Sequence, residues 1–183
     1  QDNLNDLFTL VHELGHSVHS YYTRKNQPFR YGDYSIFVAE VASTTNEALL
    51  NEYMIENAQT KEEKMYLLNH FLEGFRGTVF RQTMFAEFEH NIHERAQKGE
   101  ALTAEVLSNL YYDLNQKYYG ESMHSDEEIA LEWARIPHFY YNYYVYQYAT
   151  GYSAATTLAN GILKKKPGAI HNYIDFLKAG SSD

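Results

Sequence analysis

The pentapeptide His12-Glu13-Leu14-Gly15-His16 constrains this chain more than any other feature. It lies in an apolar-periodic stretch from Leu4 to Tyr22, whose spacing predicts a helix. Histidines four residues apart on a helix point the same way, so both imidazoles can reach one metal ion while Glu13 stands beside it. Leu7, Val11, Leu14 and Val18 recur at helical spacing on a neighbouring face, which predicts that this face anchors the helix in a core. A catalytic zinc takes three protein ligands and keeps a further position open for water. A second helix must therefore be brought against the first.

Glu40 is the candidate third ligand. It lies in Tyr34-Ser-Ile-Phe-Val-Ala-Glu-Val-Ala-Ser-Thr-Thr-Asn-Glu47, which reads as the next helix after the turn-rich break Asn26 to Asp33. Val38, Ala39, Val41 and Ala42 flank it, and a carboxylate among such neighbours is costly unless a cation neutralises it. Glu47, seven residues on and on the same face, is the rival ligand or an acceptor for an imidazole N–H.

His12 to His16 followed by Phe37-Val38-Ala39-Glu40-Val41-Ala42-Ser43 resembles the thimet oligopeptidase family, its oligoendopeptidase F branch in particular. The segment His138 to Tyr152 fits as well, so the resemblance covers nearly the whole chain. It implies an all-α catalytic lobe of the zincin type that cleaves short peptides in a deep channel. It also implies one Zn2+ per chain held by His12, His16 and Glu40, with Glu13 as general base.

Composition narrows the remaining classes. The 183 residues suit a single helical catalytic domain over 1–183, and the abrupt ends suggest a fragment lacking an amino-terminal portion and the extreme carboxy terminus. The absence of cysteine removes thiol catalysis and thiolate metal sites and fits a cytoplasmic enzyme. A net charge of -9 disfavours nucleic acid as a partner, because binding the phosphate backbone depends on Lys and Arg. No apolar run approaches the roughly 18 to 20 residues of a membrane span. Lys164-Lys-Lys166 reads as a helix end complementing the macrodipole. Expected partners are short peptides, together with association to the missing part of the chain or to another copy through exposed apolar helix faces.

The rest of the chain reads as helices separated by turns, with at most a short edge strand around Phe29 to Tyr34. Thr60-Lys-Glu-Glu63 has the form of a capping box and opens a long helical stretch to about Gln97, within which Gly74 and Gly77 mark a bend or a close crossing. Thr103 to Tyr118 reads as another helix and Gly120 to Ser125 as a loop. Ser125-Asp-Glu-Glu128 is a second capping-box pattern, predicting a helix through Trp133. Pro137 stops or restarts the chain, a helix to about Leu163 follows, and Pro167 suits the first turn of the last one.

Seven tyrosines fall between Tyr140 and Tyr152. On one continuous helix His138, Tyr141, Val145, Tyr148 and Tyr152 would share a stripe of one imidazole and three phenols. Such donors suit peptide hydrolysis, where a phenol O–H placed in advance stabilises the developing oxyanion more than the ground state. The family resemblance implies this role for His138 and for a tyrosine pair with the spacing of Tyr141 and Tyr148, for which Tyr143 or Tyr152 could substitute. Members of the thimet type carry a glycine-rich loop after this histidine, whereas Phe139-Tyr-Tyr-Asn142 has no glycine.

Other histidines read as structural. Glu89-His90-Asn-Ile-His93-Glu94 could bind a metal through His90 and His93, but its charges, with Arg95 and Lys98 nearby, suit a solvated face. His19, His70, His124 and His171 lack a partner pattern. Two other functions fit the zinc motif: a metallocarboxypeptidase using Arg135 for the substrate's terminal carboxylate, and a non-catalytic helical module with a relict metal site. Glu13 argues against the last, since metal binding alone needs no base.

Overall fold

A computed structural model describes residues 3–181 of the chain. Among these residues there are seven α-helices and no strand: α1 Leu4–Asn26, α2 Ile36–Asn57, α3 Lys61–Phe75, α4 Arg81–Gln97, α5 Ala104–Tyr119, α6 Tyr146–Leu163 and α7 Ala169–Ala179. No helix is long and apolar enough to cross a membrane. The chain divides into two compact units, one running to Gly74 and resuming at Thr150, the other Phe75–Ala149.

The first unit is built on α1. Asn3 caps it by accepting the Asp6 N–H at 2.9 Å. Its buried face is Phe8, Gly15, His19 and Thr23, the face that also carries His12 and His16. The expectation that Leu7, Val11, Leu14 and Val18 anchor this helix is corrected: Leu7, Leu14 and Val18 are exposed, Leu14 at 51%. Beside Phe8, small and polar groups that could pack or hydrogen-bond took the core instead. Thr23 donates to the Leu177 carbonyl at 2.9 Å and Gln27 to that of Lys178 at 2.8 Å, tying α1 to α7. His19 stacks on Tyr34 with ring centroids 3.7 Å apart. Around Ala42, Tyr173 and Leu177, side chains of α1, α2, α6 and α7 close an apolar cluster.

Several boundaries differ from the sequence expectation. Phe29–Tyr31 is a 3-10 turn where a short strand was conceivable. The long helix from Thr60 is interrupted by a π-helical segment, Arg76–Phe80, between α3 and α4. Thr60 does accept the Glu63 N–H at 3.1 Å, while Glu63 reaches back to the Gln59 N–H at 2.9 Å, one residue earlier than a capping box prescribes. Pro167 precedes α7, which Gly168 begins with φ of 78°.

In the second unit α5 packs against α4 and against a 3-10 helix, Glu127–Arg135, which a further 3-10 helix, Pro137–Tyr141, follows. Its core is Met84, Phe85, Phe88, Tyr111, Leu114, Ile136 and Val145. The stretch through Trp133 is 3-10 and not α: Ser125 spends its hydroxyl on Asn115 Oδ1 at 2.9 Å, so no side chain caps the start. Glu132 organises this stretch. It is 8% exposed and accepts from Arg81 at 2.5 Å, from the Tyr111 hydroxyl at 2.5 Å and from Arg135. Burial pushes its carboxyl up, but those three donors outweigh it and hold the group below the usual carboxylate range.

Candidate active site

The geometry of the candidate metal site starts at Gly15. A β-carbon there would lie 2.5 Å from Ser43 Cα and 2.9 Å from Ser43 N, so α1 and α2 approach backbone to backbone. Only a residue with no side chain permits that crossing. Three residues before Ser43 is Glu40, and on either side of Gly15 are His12 and His16. The crossing therefore sets the carboxylate against both imidazoles.

Glu40 Oε2 is 3.2 Å from His12 Nε2 and 3.7 Å from His16 Nε2, and the two Nε2 atoms are 3.1 Å apart. One ligand atom from each residue lies within 4.8 Å of the others, so the three could hold a metal ion. Glu40 is half-buried, and the Ser43 hydroxyl donates to its carbonyl at 3.0 Å and reaches its Oε2 at 3.4 Å. On the far side of the ring, His12 Nδ1 is 2.5 Å from Glu47 Oε1. Hydrogen bonds from Glu40 and then Glu47 push His12 up to about 10, while the His12 bond holds Glu40 below its ordinary value. A site with such a field attracts cations. Glu13 is exposed and, with His16, Ser17, Ser20, Tyr21, Arg24 and Lys25, lines an open cavity of about 720 Å³ along α1.

The proposed substrate-facing aromatics belong to the second unit, except Tyr152, which belongs to the first with Glu47 nearby. The single-helix stripe from His138 to Tyr152 is corrected. Pro137–Tyr141 is a 3-10 turn, Asn142 and Tyr143 have φ of 51° and 61°, and α6 begins only at Tyr146. The segment folds back on itself instead. His138 stacks on Tyr144 at 5.9 Å and meets Tyr148 edge-on at 6.0 Å, and Tyr141 meets Tyr144 at 5.8 Å. The Tyr148 hydroxyl donates to that of Tyr144 at 3.3 Å. Val145 is buried in the core, whereas Tyr141 is exposed.

Two readings of charged residues also change. Glu89 is 1% exposed and accepts the Tyr143 N–H at 2.6 Å, so the run from Glu89 to Glu94 is not simply a solvated face. The missed signal was its helical spacing from Phe85, Phe88 and Ile92, all of which meet the core. Arg135, the candidate for a terminal carboxylate, is paired with Glu132.

The sequence profile described as peptidase family M3 matches residues 3–183. Oligopeptidase PepF of Bacillus subtilis (strain 168) is 71% identical over 181 residues, 99% of this chain and 27% of that protein. The chromosomal oligoendopeptidase F of Lactococcus lactis subsp. cremoris is 58% identical over 182 residues, covering 100% of this chain and 30% of its own. The crystal structure of oligoendopeptidase-F from Enterococcus faecium superimposes with a TM-score of 0.87 at 56% identity, over 98% of this chain and 32% of that one. The chain thus spans about 30% of the length of these relatives.

Proposed function

The chain belongs to peptidase family M3, and on that premise we propose that it carries the metal site of a zinc-dependent endopeptidase acting on internal bonds of short oligopeptides. The observation behind this reading is the convergence of His12 Nε2, His16 Nε2 and Glu40 Oε2, with Glu13 between the two histidines. The donor set fits zinc, since two imidazole nitrogens and one carboxylate oxygen make a known catalytic ligand set. The field that raises His12 favours a cation for the same reason. One ion per chain would be held by these three residues.

When bound, zinc supplies Lewis acidity, polarising the scissile carbonyl and bringing the pKa of water at the site toward about 7. Glu13 takes a proton from the attacking water and hands it to the leaving amine. Glu47 accepts the Nδ1–H of His12, which fixes the tautomer whose Nε2 is a ligand. His138, Tyr141 and Tyr148 are read as donors to the substrate backbone and the developing oxyanion, a contribution of about 3 to 4 kcal/mol for one well-placed donor. Short peptides are the substrates, nucleic acid is disfavoured by the net charge of -9, and a cytoplasmic location fits the cysteine-free sequence.

The test is Glu13→Gln in the full chain, with metal analysis and a quenched-fluorescent peptide blocked at both ends. Zinc is expected to remain while cleavage falls at least about 100-fold. Loss of the metal, or activity within tenfold of the parent, would overturn the role of Glu13. Failure of the parent to cleave the blocked peptide while cleaving one with a free carboxyl end would make it a carboxypeptidase.

A further inference from the structure

Glu89 is a buried carboxylate that the proposed chemistry does not use. It sits on the core face of α4, and while Oε1 accepts the Tyr143 N–H at 2.6 Å, the buried Oε2 has no hydrogen-bond partner. A carboxylate is an expensive group to bury with one neutral donor, since its charge loses hydration that a single N–H replaces only in part. Its partner is an unusual stretch of backbone. Asn142 and Tyr143 are consecutive non-glycine residues in the left-handed region, which side chains enter only against steric resistance. One turn beyond Glu89, the ring of His93 lies 4.6 Å from that of Tyr143. The same helix thus grips the turn twice, once through its backbone and once through its ring.

That turn creates the aromatic cluster. On an uninterrupted helix, residues six apart are rotated by about 240° and cannot stack. Here His138 and Tyr144 stack with ring planes 10° apart, because the chain reverses between them. Ile136, Phe139 and Val145 hold the segment to the core, with Phe139 5.1 Å from Phe88 and 5.5 Å from Phe85. Apolar contacts fix where the segment lies, and Glu89 fixes how it bends.

We propose that Glu89 is a positioning residue for peptide hydrolysis: its carboxylate locks the left-handed turn at Asn142 and Tyr143, and that turn sets His138 and Tyr148 in the arrangement that serves the substrate. This rests on the reading of His138 and Tyr148 as substrate-facing groups. Glu89 touches no substrate itself.

Five variants of the full chain test it: Glu89→Leu, Glu89→Gln, the exposed Asn142→Val, Tyr148→Phe and His138→Ala, each assayed for kcat, KM, zinc content and melting temperature. Glu89→Leu is expected to lower kcat at least tenfold with KM within threefold and zinc unchanged. Glu89→Gln, whose amide oxygen still accepts the N–H, should recover most of that loss. Asn142→Val, which attacks the turn without disturbing the core, should reproduce the kcat defect even if Glu89→Leu does not fold. Combining either turn variant with Tyr148→Phe should cost less than the product of the two, because both act through one phenol. If Tyr148→Phe lowers kcat while Glu89→Leu, folded and zinc-loaded, or Asn142→Val matches the parent, the positioning role is wrong. If Tyr148→Phe and His138→Ala both leave kcat unchanged, the reading of the aromatic segment fails first and takes the positioning role with it.

Discussion

Gly15→Ala should act on the metal site through the helix crossing, although residue 15 offers no ligand. In an open helix interior this change is expected to stabilise by about 0.5 to 1 kcal/mol, because alanine has less freedom to lose. Here the added methyl would meet the Ser43 backbone at 2.5 Å, about 0.9 Å inside the 3.4 Å at which ordinary contact begins. Neither neighbour is a side-chain tip that can swing away, so α1 and α2 must separate. Overpacking of this kind costs about 1 to 3 kcal/mol, a fall in melting temperature of roughly 2 to 12 °C for a chain of this size. Metal–ligand distances tolerate only about 0.2 Å. A shift several times larger, applied between Glu40 and the two histidines, should weaken zinc at least about tenfold, in the range seen when the supports of a metal site are removed. Chelator competition gives the affinity, and melting of metal-free protein gives the stability. Gly77→Ala, with no atom within 4 Å of its would-be methyl among the described residues, is the control. An alanine at position 15 that melts at or above the parent and holds zinc equally well would refute the reasoning.

Glu40→Ala should reduce zinc affinity more than Glu47→Ala; the reverse order in a zinc titration would make Glu47 the ligand. For Tyr148→Phe, kcat should fall with KM little altered, because the donor acts in the transition state, and a rise in KM alone would assign the phenol to ground-state binding. His19 is pushed down to about 4 by burial and then by the charge of His16. Protonation therefore favours the unfolded chain: the stability tied to neutral His19 is complete above about pH 6.5 and is lost as pH falls from there through 4. His19→Phe keeps a ring against Tyr34 and should flatten that part of the melting-temperature profile, so parallel profiles for the two proteins would remove His19 as the cause.

The convergence of His12, His16 and Glu40 was legible because its logic is local. The spacing of His12 and His16 on a helix determines that their rings share a face, and apolar neighbours around Glu40 marked a carboxylate in need of a partner. The aromatic segment was not legible in the same way. Its residues fit a continuous helix by propensity and spacing, and the turn that interrupts it is bonded to a buried carboxylate more than fifty positions earlier. The inverted expectation for α1 has a similar origin: the sequence predicts which faces are apolar, but Gly15, His19 and Thr23 are buried because specific partners on α2, Tyr34 and α7 receive them. Glu132 likewise lay in a stretch expected to be α-helical, which is 3-10 where Ser125 bonds Asn115 and where Glu132 accepts from Arg81 and Tyr111 elsewhere in the second unit and from Arg135 of the same stretch.

Building the turn at Asn142 and Tyr143 without glycine has a consequence in the unfolded chain. Glycine would enter the left-handed region without strain, yet it would bring many more conformations to be surrendered on folding. Asparagine and tyrosine accept strain and begin with fewer states. A flexible turn answers disturbance by degrees, sampling neighbouring shapes. A strained one is brittle: it is held whole by its clamp, or it springs to the right-handed conformation its side chains prefer. Variation among relatives at these two positions should accordingly be coupled to residue 89, with glycine appearing where the buried acceptor has been lost.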